Sequence, residues 1–141
     1  MIVLDTNVLS EMLRPAPDPR VVAWMAGRSA SQLFTTAVTE AEIRYGVARL
    51  DVGQRRVALV SAITGIFEED MAGRVLAFDS EAAIAYAKIV AEREKLGRPI
   101  SQFDAQIAAI ARIHGADVAT RNVRDFTDCG IRLIDPWSAR P

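Results

Sequence analysis

The sequence predicts an α/β protein: a three-layer α/β/α sandwich around a mostly parallel five-stranded sheet. Three observations carry that expectation. Short apolar runs alternate with longer helical patterns from one end of the chain to the other, as they do when strands are joined by helical crossovers. The length, 141 residues, suits one domain with one core, read here as residues 1–141. Half of the residues are apolar and 25% are charged, a composition that fills a core and excludes a disordered chain.

Each element follows from its local pattern. Ile2-Val3-Leu4 is a short run of β-formers and reads as a buried strand. Asp5-Thr6-Asn7 stops it, with Asn7 as the expected N-cap of a short helix through Leu13. Pro15, Pro17 and Pro19 break the chain, and a helix follows to about Arg28 on Val21, Val22, Trp24 and Met25. Leu33 to Val38 is the second strand. Thr39-Glu40-Ala41-Glu42 matches a capping box and opens a helix to about Arg49. After the break at Val52-Gly53, Gln54 to about Glu69 is helical. Arg74 to Phe78 is the third strand. Asp79 or Ser80 caps a long helix to Leu96, which Gly97 ends and Pro99 follows. Ser101-Gln102-Phe103-Asp104 opens another helix, with His114 in its last turn and Gly115 beyond it. Val118 to Thr120 and Ile131 to Ile134 complete the strands, and Pro136 stops the last. There is no internal repeat or linker.

Charge and composition narrow the function. With 17 basic and 18 acidic residues the net charge is -1, which argues against gripping nucleic acid by bulk positive charge but leaves room for a local patch. The basic residues are 15 Arg and 2 Lys. That bias reads either as phosphate-seeking chemistry or as codon bias, and 23 Ala point to the second. One Cys and one His exclude an internal disulfide and a Cys/His zinc cluster. Cys129 is expected to pack in the core, and His114 to complement its helix C-terminus. The longest charge-free runs have 11 residues, well short of the roughly 18 that cross a bilayer. No basic segment precedes the first apolar run, so a cleaved signal is not expected and the expected location is cytoplasmic.

Three polar clusters share one topological position. Asp5-Thr6-Asn7 follows the first strand, Glu40 and Glu42 the second, and Thr120-Arg121-Asn122 with Asp125 the fourth. Asp104, at a helix start, is a candidate to face the same edge. In open parallel sheets, ligands bind outside the carboxyl ends of strands. Carboxylates that converge there repel one another unless a divalent cation lies between them, and an oxygen-only donor set suits Mg²⁺ or Mn²⁺. The local pattern leaves Glu42 and Asp104 two readings each, as capping-box partners or as site acids. Asn122 and Asp125 read equally as turn residues, and Glu40 as solvated. Asp5, ending a buried strand, requires a partner and reads as functional.

In order, Met1-Ile-Val-Leu-Asp-Thr-Asn-Val-Leu-Ser10, Thr39-Glu-Ala-Glu-Ile-Arg-Tyr-Gly46, Phe103-Asp-Ala-Gln-Ile-Ala-Ala-Ile-Ala111, Ala119-Thr-Arg-Asn-Val-Arg-Asp-Phe126 and Ile131-Arg-Leu-Ile-Asp-Pro-Trp137 resemble the PIN-domain ribonucleases. More narrowly, the chain resembles VapC-type toxins of type II toxin–antitoxin pairs, near the FitB-like subgroup. The blocks cover almost the entire chain, so their order is far more specific than Asp-Thr-Asn alone. The resemblance implies a PIN-like sandwich and a Mg²⁺-dependent (or Mn²⁺-dependent) endoribonuclease, hydrolysing RNA phosphodiesters with a metal-activated water. It implies that Asp5, Glu42 and Asp104 bind the metal and that these three and Asn122 form the catalytic set. Thr6 and Thr120 would orient them, and Asp125 would support them or compensate for Asn122, where many relatives have Asp. Arg121 and Arg124, close by in sequence, are candidates for a substrate phosphate. The implied partners are RNA, a small antitoxin and a second copy of the chain, with DNA reached only through the antitoxin and no membrane. Trp24, Met25 and Tyr45 are either contacts for such partners or core. Without the three acids, 17 basic residues face 15 acidic ones, so near-neutrality conceals an anionic pocket on a mildly basic body. Two other readings compete: a non-catalytic PIN-type module that binds an antitoxin-like partner, and a phosphatase with Asp5 as nucleophile. The second lacks the Asp expected two residues after the first, where this chain has Asn7.

Overall fold

Strand β1 (Ile2–Leu4) lies at the centre of the sheet, which runs β3-β2-β1-β4-β5 with every neighbouring pair parallel. The structure is a computed structural model and describes residues 1–138. The last three residues of the expected domain lie outside the described residues. After β1 come α1 (Thr6–Met12), α2 (Pro19–Ala26), β2 (Leu33–Thr36), α3 (Ala37–Ala48), α4 (Gln54–Thr64) and β3 (Val75–Leu76). Then follow α5 (Ser80–Lys95), α6 (Gln102–Ile113), β4 (Asp117–Ala119), a 3-10 turn (Val123–Phe126) and β5 (Leu133–Ile134). The sheet expected to be mostly parallel is wholly so.

Alternation along the strands makes the layers. Val3, Phe34 and Val118 point to one face, where they meet Ala82 and Ile89 of α5 and Ile107 and Ile110 of α6. Ile2, Leu4, Leu33 and Ala119 point to the other, against Val8, Val21, Trp24, Ile43 and Ile63. Successive strand residues face opposite ways, so both faces of the sheet must be covered. Trp24 belongs to this second core, Met25 packs partly against it, and Tyr45 is exposed. Cys129 is buried in the first core, as expected.

Several boundaries differ from expectation, each for a local reason. Asp5, not Asn7, caps α1, because its carboxylate accepts the Thr6 N–H. Thr36, not Thr39, caps α3: its Oγ1 accepts the Thr39 N–H at 3.0 Å, which ends β2 two residues early. Glu42 is therefore not the partner in a Thr39 capping box. The helix expected over Gln54–Glu69 is α-helical only to Thr64, then widens into a π segment, Gly65–Asp70. The Met71 N–H reaches back five residues to the Ile66 carbonyl at 2.8 Å. Gly97 and Gly115, with φ of 70° and 62°, follow Leu96 and His114 as left-handed stops. Among the described residues no helix is long and apolar enough to cross a membrane.

Candidate active site

The chain leaves β1 toward β2 on one side and returns to β4 on the other, so the order of the sheet reverses between β1 and β4. Such a switch point opens a crevice at the carboxyl ends of the two strands. Asp5 and Thr120 are the residues that emerge there. The Asp5 N–H donates to Ala119 O at 2.9 Å, holding the two strand ends together.

Asp5 is 3% exposed. Its Oδ1 accepts the Thr6 N–H at 2.7 Å, and its Oδ2 accepts Asn7 Nδ2 at 2.8 Å and the Thr120 hydroxyl at 2.9 Å. Burial pushes its carboxyl up to about 6, the bonds from Thr120 and Thr6 hold it back, and repulsion from Asp104 and Glu42 adds to the rise. Glu42 sits on α3, half-buried, and its Oε1 accepts the Thr6 hydroxyl at 2.9 Å. Thr6 Oγ1 also lies 3.2 Å from Thr39 Oγ1. Burial raises the Glu42 pKa, the Thr6 bond opposes it, and Asp104 raises it further. Asp104 is in the first turn of α6, where its N–H donates to the Ser101 hydroxyl at 3.2 Å. Burial raises its pKa too, against the Ser101 bond, with Asp125 adding to the rise and Arg93 opposing it.

Three acids from three separate elements thus converge on the crevice, where Asp5 feels both Asp104 and Glu42, and Glu42 feels Asp104. Asp104 lies in the first turn of α6, where the partial positive charge of the helix end favours an anionic group. Among the described residues, no three Asp, Glu, His or Cys side chains close on one ligand point. A hard cation such as Mg²⁺ takes one or two carboxylates and keeps several waters, so this donor set fits it without a closed cage.

The other expected residues divide. Thr6 and Thr120 bind Glu42 and Asp5 respectively. Asn122 reaches the rim through its backbone, whose N–H donates to Thr120 Oγ1 at 3.0 Å; among the described residues its side chain bonds to none of the acids. Asp125, exposed in the 3-10 turn, acts on Asp104 only through its charge. Arg121 stacks 5.1 Å over the Trp137 ring, and its charge adds to the Arg20 hydrogen bonds that chiefly lower the Asp18 pKa. Arg124 is exposed on the 3-10 turn. Glu40 faces elsewhere and pairs with Arg44 at 2.7 Å.

Two residues escaped the sequence reading. Asn7 bridges Asp5 to the chain after β4, since its Oδ1 accepts the Arg121 N–H at 3.0 Å. Its two-residue spacing from Asp5 is the available signal, because Asp and Asn so placed commonly bond across a turn. Arg93, on α5 and 4% exposed, donates to the carbonyls of Arg98, Asp125 and Thr127. Nothing in its local pattern marks it. A groove of about 660 Å³, bordered by Thr6, Ser10, Arg14, Glu42, Gly46 and Arg55, runs from the site. A second opening of about 530 Å³, between Tyr45 and Phe103, meets it at Glu42.

The comparisons agree with this architecture. The chain belongs to the PIN domain family, whose model matches residues 2–130. It is 41% identical over 137 residues to VapC ribonuclease Y4jK of Sinorhizobium fredii, covering 97% of this chain and 98% of that protein. It is 39% identical over 137 residues to the toxin FitB of Neisseria gonorrhoeae, covering 97% and 99%. The solved structure of FitAB bound to an IR36 DNA fragment superposes with a TM-score of 0.94 at 38% identity, covering 100% of this chain and 99% of that one.

Proposed function

We propose that this chain is the toxin of a toxin–antitoxin pair and acts as a Mg²⁺- or Mn²⁺-dependent endoribonuclease. The observation that carries the reading is the convergence of Asp5, Glu42 and Asp104 at the switch point, each with a raised pKa, with Asp104 and Glu42 acting on Asp5 and Asp104 acting on Glu42. Buried acids that repel one another are destabilised as they stand, and a divalent cation relieves that repulsion. The names ribonuclease and toxin on relatives at 41% and 39% identity support the same reading.

Asp5, Glu42 and Asp104 are the residues that would hold the cation. When bound, it supplies Lewis acidity, drawing charge from the phosphoryl oxygen and acidifying a water. The chain's own contribution is orientation and polarity. Thr6 fixes Glu42, and Thr120 and the Thr6 N–H fix Asp5. No side-chain nucleophile is required. The two openings that meet at Glu42 leave room for an extended strand on either side of a scissile phosphate. Arg124, exposed on the 3-10 turn, would contact a phosphate at the rim, and Arg121 would reach one only by leaving Trp137. Asn122 supplies at most a neutral oxygen, which lowers the charge available to a second metal.

The partner side of the proposal rests on relatives. FitAB, seen on DNA, supports a small antitoxin as the partner and contact with DNA through it. A homodimer and a cytoplasmic location complete the reading. Brief induction of the chain in a bacterial host, followed by sequencing of RNA ends, tests it. We expect new internal ends with 5′-phosphates, absent with Asp104→Asn. Identical RNA ends in both cultures contradict the proposal.

A further inference from the structure

We infer that Asn7 is a positioning residue for the active site, acting through Asp5 and through the backbone that follows β4. The inference rests on the metal-dependent reading above. The orientation of the Asn7 amide is fixed by its neighbours. Its Oδ1 must face the Arg121 N–H, 3.0 Å away, and its Nδ2 must face the Asp5 carboxylate, 2.8 Å away. Nδ2 also lies 3.4 Å from Thr120 Oγ1, and that hydroxyl accepts the Asn122 N–H at 3.0 Å while donating to Asp5 at 2.9 Å. Asn7 therefore closes a ring of bonds joining the end of β1 to residues 120–122. Within that ring it is the side chain that touches both Asp5 and the backbone at Arg121.

The consequence for Asp5 follows from its lone pairs. An ionised carboxylate offers about four acceptor positions. Thr6 N–H, Asn7 Nδ2 and Thr120 Oγ1 occupy three. The one left, on Oδ1, has a fixed direction and presents a single oxygen to the crevice. Without the Asn7 donor, a position on Oδ2 is freed and the carboxylate can turn about its Cβ–Cγ bond. Residues 121–122 also lose a tether.

The experiment compares wild type with Asn7→Ala and Asn7→Leu. The leucine keeps the size of the side chain without adding charge, and removes both the donor to Asp5 and the acceptor for the Arg121 N–H. Three quantities are read: Mn²⁺ affinity from the electron paramagnetic resonance signal of free Mn²⁺, kcat and KM for RNA cleavage, and the melting temperature. Loss of an outer partner of a metal ligand weakens metal binding or activity by about 10–100-fold. We expect both variants to lose Mn²⁺ affinity within that range and kcat with it, while KM for RNA stays within about twofold, a split that a merely structural defect does not produce. If Asn7→Ala does not fold, Asn7→Leu decides alone. Mn²⁺ affinity and kcat within twofold of wild type in the folded variants overturn the inference. Wild type that binds Mn²⁺ without cleaving RNA overturns the ribonuclease reading alone, and the Mn²⁺ affinities still decide the role of Asn7. Wild type that binds no Mn²⁺ overturns both.

Discussion

Asp5 governs the electrostatics of the site because it is the most buried of the three acids. Its pKa moves from 3.8 to about 6, so between those values the folded form holds more protons than the unfolded chain. Its contribution to stability is therefore intact below about pH 4 and lost as the pH rises through 6. Glu42 and Asp104 shift in the same direction. The metal-free protein should then be more stable at pH 5 than at pH 7.5, by an amount on the order of 1 kcal/mol. Urea denaturation at the two pH values measures this, and a midpoint that rises with pH contradicts it. Mg²⁺ added at pH 7.5 should raise the midpoint, since a ligand that binds only the folded form stabilises it. Of these residues, Asp5 was legible without any resemblance, because a carboxylate ending a buried strand needs a partner. Glu42 and Asp104 were ambiguous, because a helix-start acid has the same local pattern whether it caps or binds. Asp104 does sit beside a true Ser101 cap, and Glu42 owes its position to a helix that begins five residues earlier.

At the scale of elements, α3 carries the greatest burden, since it must end β2 and aim Glu42 within a few residues. Thr36 does the first through its cap bond to the Thr39 N–H. Thr36→Ala should cost about 1 kcal/mol, the usual penalty for a lost hydroxyl cap, with Thr39 unable to replace it; a thermal or chemical melt measures the loss. The same helix holds Gly46 in its interior, where an added Cβ meets nothing within 4 Å. Gly46→Ala should raise stability by roughly 0.5–1 kcal/mol, because glycine is the more costly residue in a helix interior. An unchanged or lowered melting temperature contradicts that. Elements were largely legible because apolar periodicity marks their existence, whereas the start of α3 depends on which of two threonines supplies the capping hydroxyl. The π segment after α4 was not legible, since its apolar residues keep a helical spacing across the widening.

At the scale of the molecule, the parallel sheet and its switch point explain why distant stretches of sequence meet. That meeting could be anticipated from strand–helix alternation, which places strand ends on one edge. What lay beyond sequence reading was the packing behind the edge. Arg93 is the clearest case: its guanidinium has no carboxylate partner among the described residues and is satisfied by carbonyls of Arg98, Asp125 and Thr127. It pins the 3-10 turn that carries Asp125 to α5, so Arg93→Met should destabilise the fold by about 1–3 kcal/mol by leaving these part-buried carbonyls without a donor, measurable by urea denaturation. The central claim concerns the site that this scaffold presents, and one assay tests it most directly. Purified protein is incubated with RNA in Mg²⁺, in excess EDTA and after restored Mg²⁺, alongside Asp5→Asn. Cleavage is expected with Mg²⁺, none in EDTA, recovery on restoring Mg²⁺ and none with Asp5→Asn in any condition. Cleavage that persists in EDTA, or in Asp5→Asn at the wild-type rate, contradicts the claim.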